Sequence, residues 1–447
     1  MENTNRTPRV FFATLGCKVA QYETEALREA FLAEGYTEVR EEADIAVVNT
    51  CTVTAEADRK CRQAIRRLGV RHPHARILVI GCYAQSHPDK VADLPGVAYV
   101  GGTADKMKCV AIAKSLIGTG TTEARIAIKP LDTERYEPMS VSSAPRTRAY
   151  VKIADGCDCH CTYCAIPAAR GPVRSRPREE ILAEICRLTE GGTREVVLTG
   201  IETASYGRDR QDGYRLIDLL EEVDALPVPR VRLGSLTPEV MRGDFIDRLA
   251  RLTHLAPHFH LSVQSGSSDV LSRMKRRYNA EQAMEAILAL RAAIPSVQLT
   301  CDMIVGFPGE SEESFQRTMA FARRARFLSM HVFSYSPRRG TPAATYPDRV
   351  GDAEAAARSA ALTALAKRMG EEILAEAVAK GTPLSVLFET EKGGLATGHT
   401  ASFLPVTAPA DGVAGEIMTV LPVRVQDGVI YGVLAKDDPG SVYKNII

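Results

Sequence analysis

Arg148-Ala-Tyr-Val-Lys-Ile-Ala154 leads through Asp155-Gly156 into Cys157-Asp-Cys-His-Cys-Thr-Tyr-Cys164, and the reading of the whole chain turns on this stretch. The first part is apolar and rich in strand-forming residues. The second holds a C-x3-C-x2-C run at Cys157, Cys161 and Cys164. Three thiolates on one short loop can hold three irons of a cubic iron–sulfur cluster and leave the fourth without a protein ligand. An iron left open in this way accepts a small chelating molecule.

Further strands are predicted downstream at Glu195–Thr199, Val231–Leu236, His258–Val263, Val297–Val305 and Ser329–Ser334. Helical patterns separate them at Pro177–Leu188, Leu216–Val223, Pro238–Leu252, Glu281–Ala293 and Glu312–Ala325. Strands alternating with helices imply α/β architecture, here an incomplete TIM-type (β/α)6 barrel, whose sites lie at the C-terminal ends of its strands. The cysteine loop would sit on that edge. So would Thr199-Gly-Ile-Glu202, Gly234-Ser-Leu-Thr-Pro, Gln264-Ser-Gly, Gly306-Phe-Pro-Gly-Glu310 and Tyr335-Ser-Pro-Arg-Arg339. Each alone is ordinary turn chemistry. Together they bring polar groups and glycines toward a ligand beside the cluster.

Residues 1–118 also alternate strand and helix, which predicts a doubly wound parallel sheet. Cys17, Cys51 and Cys82 each follow one of its strands within three residues. Parallel strands bring their C-terminal ends to one edge, so three thiols distant in sequence would meet there. One such cysteine is usually a packing residue; three at strand ends point to a shared metal site. Cys61 and Cys109 lie inside helical patterns and read as packing residues, with Cys61 the outside candidate for a fourth ligand.

Residues 119–144 read as a linker, 145–374 as the barrel core, and 376–447 as a separate unit. In that last unit the strand candidates Leu384–Glu389, Phe403–Thr407, Ile417–Val425 and Val429–Val433 recur. Lys392-Gly-Gly and Asp427-Gly supply hairpin-turn chemistry, and a small antiparallel β-barrel of OB-like type fits. The 447 residues carry 56 basic against 55 acidic side chains, which excludes a grossly basic nucleic-acid protein but not a local basic face. No signal-like start and no membrane-length apolar run is present, so a cytoplasmic protein is expected. In that compartment, 11 cysteines read as metal-binding or buried rather than disulfide-bonded.

Thr14-Leu-Gly-Cys-Lys-Val-Ala-Gln-Tyr-Glu-Thr24, Asn49-Thr-Cys-Thr-Val-Thr54 and Gly81-Cys-Tyr-Ala-Gln85 resemble the N-terminal cluster domain of the methylthiotransferases. The segment Gly156–Arg176, His260-Leu-Ser-Val-Gln-Ser-Gly266 and Ile304-Val-Gly-Phe-Pro-Gly-Glu310 resemble their radical S-adenosylmethionine core, and the tail resembles a TRAM domain. Leu-Gly-Cys-Lys-Val and Gln-Tyr-Glu-Thr are most similar to the tRNA threonylcarbamoyladenosine subfamily. Ala20 and Ala168 depart from the usual asparagine and tyrosine.

The resemblance implies two 4Fe-4S clusters, at Cys157/Cys161/Cys164 and at Cys17/Cys51/Cys82. The first would bind and reductively cleave S-adenosylmethionine; the second would hold the sulfur to be inserted, which a second S-adenosylmethionine methylates. An unactivated adenine C–H is beyond ordinary side-chain catalysis, so the cofactors carry the hard step and no catalytic side chain is assigned. Tyr163, Glu202, Arg232, Gln264 and Gly306 are the expected S-adenosylmethionine contacts, with a barrel-interior ion pair as the alternative for Arg232. The product would be a 2-methylthio group on N6-threonylcarbamoyladenosine beside the tRNA anticodon. The electron donor would be a flavodoxin or ferredoxin, and the sulfur donor is unassigned.

Arg170, Arg174 and Arg176, with Arg338 and Arg339, form the basic sets expected to meet RNA phosphates; Lys60–Arg76, with six basic residues and no acid, and Arg273–Arg277 are further candidates. Three other readings remain at this stage. The same enzyme class could act on isopentenyladenosine in tRNA or on a ribosomal-protein side chain. A non-catalytic metal- and RNA-binding protein could instead close a zinc site with Cys159 or His160.

Overall fold

In the computed structural model, residues 6–117, 123–132, 135–143 and 147–435 are described. Six strands form the N-terminal sheet: β1 (Arg9–Thr14), β2 (Thr37–Glu38), β3 (Ile45–Thr50), β4 (Arg76–Gly81), β5 (Val97–Gly101) and β6 (Arg125–Ala127). All pair in parallel, in the order β2-β1-β3-β4-β5-β6. Every residue of β3 is buried because both faces of the sheet are covered. Its Ala46 and Val48 pack with Ile65 of the helix Ala55–Arg71, while Ile45 and Val47 pack with Leu27 and Phe31 of the helix Lys18–Ala33. The winding reverses between β1 and β3, and such a switch point opens a crevice at the carboxyl edge of the sheet. β6 lies within the stretch expected as a linker, so that stretch contributes an edge strand.

The core comprises β7 (Arg148–Asp155), β8 (Arg174–Ser175), β9 (Glu195–Gly200), β10 (Val231–Leu233), β11 (Ser235–Leu236), β12 (His258–Gln264), β13 (Gln298–Val305) and β14 (Ser329–Ser334). They form two four-stranded sheets, β10-β9-β7-β8 and β11-β12-β13-β14. Since β10 and β11 are one run of chain broken at Gly234, the parallel wall follows β7-β9-β10/β11-β12-β13-β14, six staves of a partial barrel. Val151, Val196, Leu261, Cys301 and Met330 pack in the hydrophobic core. The alternating positions Arg148, Lys152, Glu195, His258, His260, Asp302 and His331 face inward, as the period of two requires. The helix expected over Pro238–Leu252 is interrupted: Gly243 adopts a φ of +60°, and only Phe245–Leu249 is α-helical.

A single 29-residue helix, Asp352–Lys380, crosses the expected boundary between core and tail. Its Leu362, Leu365 and Met369 belong to the barrel core, while Ile373 and Leu374 belong to the core of the tail. The tail strands β15 (Leu384–Lys392), β16 (Leu395–Thr400), β17 (Pro405–Pro409), β18 (Ile417–Gln426) and β19 (Val429–Leu434) close in the order β15-β16-β17-β19-β18. Four seams are antiparallel and β17–β19 is parallel. A closed ring with an odd number of strands cannot alternate throughout, so the expected all-antiparallel barrel takes one parallel seam. Among the described residues no helix is long and apolar enough to cross a membrane.

Candidate active site

The loop after β7 is shaped by Gly156. Its φ is +76°, and a Cβ there would lie 1.8 Å from the Pro172 carbonyl oxygen. This close approach lets the Cys157 N–H donate to Gly171 O at 3.0 Å. The far side of the loop is tied to the segment after β12: the Thr162 N–H donates to Met274 O at 3.1 Å, and its hydroxyl to Arg273 O at 2.9 Å. Cys157, Cys161 and Cys164 open on a cavity of about 270 Å³ shared with Tyr163, Glu202, Ser262, Gln264, Arg276 and Asp302. Arg276 donates Nη1 to Cys161 Sγ at 3.2 Å. Burial, then the neighbouring Cys159, pushes the Glu202 carboxyl up to about 7. Cys159 also lines the cavity, with its thiol against that of Cys157.

On the N-terminal sheet, Cys17 precedes the helix Lys18–Ala33, Cys51 follows β3, and Cys82 follows β4. The register pairs Thr50 with Gly81, which sets Cys51 beside Cys82, and a Cβ at Gly16, next to Cys17, would lie 3.6 Å from Cys51 Cβ. Burial, with Cys82 and Cys17 adding to it, pushes the Cys51 thiol up to about 12. Cys61 is buried in the sheet's core, where its thiol donates to Cys51 O at 3.4 Å; Cys109 is fully buried on the other face.

A buried charge cluster joins the two edges. Arg170 Nε donates to Cys82 Sγ at 3.1 Å, and its Nη1 donates to Glu23 at 2.6 Å and to Asp155 at 3.1 Å. Lys106 and Lys152 both place Nζ on Glu23, at 2.8 and 2.9 Å, and Lys152 also reaches Asp155 at 2.6 Å. Glu23 and Lys106 come from the N-terminal unit; the other three come from the barrel. Burial alone would raise the Glu23 carboxyl, but Arg170, Lys106 and Lys152 outweigh it and hold it well below the usual range. A second tie runs from Arg338, which donates to Thr52 at 2.6 Å and to Asp58 at 2.7 Å. Beside it, Ser336 Oγ accepts from the Ala55 N–H at 3.2 Å. These ties bring Val53 and Thr54, next to Cys51, into the wall of the cavity that holds the barrel cysteines.

Residues 151–322 match the radical SAM superfamily, and residues 9–102 match the group described as uncharacterized protein family UPF0004. The chain is 39% identical over 409 residues to the threonylcarbamoyladenosine tRNA methylthiotransferase MtaB of Bacillus subtilis, covering 89% of each chain. It is 34% identical to the protein of that name from Chlamydia pneumoniae, over 92% of this chain and 94% of the relative. The chain belongs to the radical S-adenosylmethionine tRNA methylthiotransferases. A tRNA-2-methylthio-N(6)-dimethylallyladenosine synthase of Desulfitobacterium hafniense, 36% identical over 78% of this chain and 80% of its own, is a further relative. In fold, the methylthiotransferase is similar to the radical S-adenosylmethionine methyltransferase TsrM of Kitasatospora setae. The TM-score is 0.56 at 16% identity, over 88% of this chain and 81% of that one.

The family works with a 4Fe-4S cluster and S-adenosylmethionine, and the residues present suit that group. The three cysteines of the loop form a sulfur donor set, and a guanidinium donates to one of the sulfurs, as the outer partner of a thiolate ligand does. Of the expected S-adenosylmethionine contacts, Tyr163, Glu202 and Gln264 line the cavity. Gly306 lies just past β13, where its N–H donates to Glu310 at 2.6 Å. Arg232 is not in the cavity: it pairs with Glu195 at 2.8 and 3.0 Å deep in the barrel, because both stand on inward positions of neighbouring strands.

Most of the arginines expected to meet RNA are corrected in the same way. Arg170 and Arg176 are buried, and Arg176 is spent on Glu184. Arg174 is buried beside Asp155, and Arg338 is buried on Asp58. Only Arg339 of the set is exposed. A buried guanidinium held on a carboxylate inside the protein cannot reach a phosphate on the surface of an RNA. The joining cluster around Glu23 and the His260–Asp302–His331 group, with His260 and His331 each 3.2 Å from Asp302, were not read from sequence. The alternation in His258-Phe-His260, which sets both imidazoles on the inward face, is the one sequence signal for a member of the second, His260.

Proposed function

We propose that this enzyme places a methylthio group on carbon 2 of N6-threonylcarbamoyladenosine next to the tRNA anticodon, using two 4Fe-4S clusters and two S-adenosylmethionine molecules. The observation that carries the reading is the shared cavity, with Val53 and Thr54 of one three-cysteine edge facing Cys157, Cys161 and Cys164 of the other. When bound, the clusters and S-adenosylmethionine supply the radical and sulfur chemistry that an unactivated aromatic C–H demands.

The protein's part is holding and orienting. Cys157, Cys161 and Cys164 hold one cluster; Cys17, Cys51 and Cys82 hold the other. Tyr163, Glu202 and Gln264 border the S-adenosylmethionine position. Val53 and Phe333 line the cavity and remain exposed, offering apolar faces to a flat base. Exposed Lys275, Arg277 and Arg339 near the cysteine edge, with Arg66 and Arg67 on the helix Ala55–Arg71, replace the buried arginines as phosphate contacts. The closed β-barrel of the tail serves as a TRAM-type RNA-binding unit, and a flavodoxin or ferredoxin delivers electrons. The test is mass spectrometry of tRNA nucleosides from a strain lacking the gene. The 2-methylthio form of N6-threonylcarbamoyladenosine disappears if the reading holds; its persistence, with loss of the dimethylallyl counterpart, would transfer the enzyme to the other substrate.

A further inference from the structure

Below the cysteine edge the barrel lumen is lined by charge. Along β12 the inward residues descend from Ser262, which lines the cavity, through His260 to His258, about 6.6 Å per step. At the level of His258, the Glu195 carboxylate is shared by three guanidinium groups: Arg148 at 2.5 Å, Arg232 at 2.8 Å and Arg230 at 3.4 Å. Glu389 of the tail adds a second carboxylate, on Arg148 at 2.8 Å. The floor is Phe403, whose ring stacks on His258 with centroids 4.5 Å apart and lies under Arg148 and Arg232.

Cationic capacity is left over. Nη1 of Arg232, on a side chain only 3% exposed, has no hydrogen-bond partner, and Nη2 of Arg148 has none either. Lys18 is half-buried in the first turn of the helix Lys18–Ala33, and that helix packs against β7 and β9, the strands that carry Arg148 and Glu195. The charges of Arg232 and Arg148 act on Lys18 there. It makes no ion pair or hydrogen bond among the described residues. Around Glu195 and Glu389, two carboxylates thus stand against Arg148, Arg230, Arg232 and Lys18, while Asp302, higher in the lumen, is taken up by His260 and His331. Burial, then the Arg232 charge, holds the His258 imidazole neutral at a pKa of about 2, so the histidine adds nothing to the excess. Buried charge is normally compensated, and unpaired buried donors are costly.

We propose that Lys18, with the free guanidinium edges of Arg148 and Arg232, forms a carboxylate subsite that receives the anionic end of the substrate's N6 substituent. This rests on the substrate reading above and adds to it the residue that recognises the substituent. Lys18 directly follows Cys17, so the ammonium and the sulfur-carrying edge are held by one helix start. A base with its carbon 2 turned toward Cys17 can direct a flexible acidic substituent down the lumen. An uncharged hydrocarbon substituent would leave Lys18 and both guanidinium edges unpaired, and a site built around a polar partner discriminates against ligands that lack it.

The experiment measures binding of anticodon stem–loop RNAs to the full-length, cluster-loaded protein without S-adenosylmethionine, so that no turnover intervenes. Three RNAs are compared: one with N6-threonylcarbamoyladenosine, one with its methyl ester, and one with unmodified adenosine. Wild type is expected to favour the carboxylate RNA about 10-fold or more. Lys18→Gln should abolish that preference and Lys18→Arg should retain part of it, with iron content unchanged in both. Full preference in Lys18→Gln would overturn the subsite while leaving the substrate reading intact. An equal loss for all three RNAs would also overturn it, by assigning Lys18 to the phosphate backbone. Absence of any preference in wild type would remove the substrate reading itself, and the subsite with it.

Discussion

The two three-cysteine edges solve one problem in opposite ways. The barrel loop carries its thiols within eight residues, Cys157 to Cys164, and is fixed by backbone hydrogen bonds to Gly171 and Met274. The N-terminal edge collects Cys17, Cys51 and Cys82 from three separate strand ends, and its Cys82 is held by Arg170 of the other unit. A contiguous loop needs only local geometry. A dispersed set needs the sheet to form and the second unit to dock. The first edge should therefore fail by backbone strain, and the second by loss of charge compensation at the joint.

The largest expected effect is on the local edge. Gly156→Ala puts a methyl group into the Pro172 carbonyl at a residue whose φ is +76°. Methylthiolation should fall by at least about 10³-fold, as a misplacement of around 1 Å already costs about 10². Iron bound at the N-terminal edge should survive, which iron analysis and spectroscopy of the purified variant would check.

Next comes the joint. Arg170→Met leaves Glu23 and Asp155 short of one cation and Cys82 without its donor. Removing one partner from a buried ion cluster costs about 3–5 kcal/mol. Chemical denaturation of the apoprotein should show that loss, and Cys82-dependent iron should become labile while the barrel cluster persists.

Glu195 gives a pH-dependent effect at the lumen floor. Burial alone would raise its carboxyl, but Arg232, Arg148 and Arg230 outweigh it and hold it at about 2, against an ordinary 4.5. A depressed carboxylate adds stability above its unfolded value, and that stability is lost as pH falls from about 4.5 toward 2. The shift corresponds to about 3 kcal/mol. Glu195→Gln should therefore be less stable than wild type by roughly that amount at neutral pH, with the difference narrowing in acid. A gap that stayed constant down to pH 3 would show that the ion pairs are not its source.

The smallest effect is at the surface. Arg339→Ala should weaken tRNA binding a few-fold whatever the sequence, and lower the salt slope by about 1. Arg338→Ala, by contrast, should act on stability, since Arg338 is buried on Asp58.

What the sequence disclosed follows the same division. The cysteine loop, the alternation of strand and helix, and the strand-end placement of Cys17, Cys51 and Cys82 are local or periodic signals, and the fold class rests on them. The direction in which an arginine points is not local. Arg170 and Arg176 resemble a basic surface run, but their partners Glu23 and Glu184 lie 147 and 8 residues away. Docking of the two units spends Arg170 on Glu23, and packing of the following helix against the barrel spends Arg176 on Glu184. Neither direction is written in the local sequence. Arg232 failed as a cofactor contact for the same reason. The continuous helix Asp352–Lys380 blurred the core–tail boundary because its buried face changes partner part-way along, without a break in helical pattern.

The proposed function divides the chemistry between two separate clusters. Anaerobic reconstitution of the wild type, a Cys17/Cys51/Cys82→Ala triple variant and a Cys157/Cys161/Cys164→Ala triple variant separates their roles. Iron content and reductive cleavage of S-adenosylmethionine are then measured on all three. Wild type should hold about eight irons per chain and each variant about four. The N-terminal variant should keep cleaving S-adenosylmethionine without methylthiolating tRNA, whereas the barrel variant should do neither. About four irons in wild type, or cleavage surviving in the barrel variant, would rule out that division.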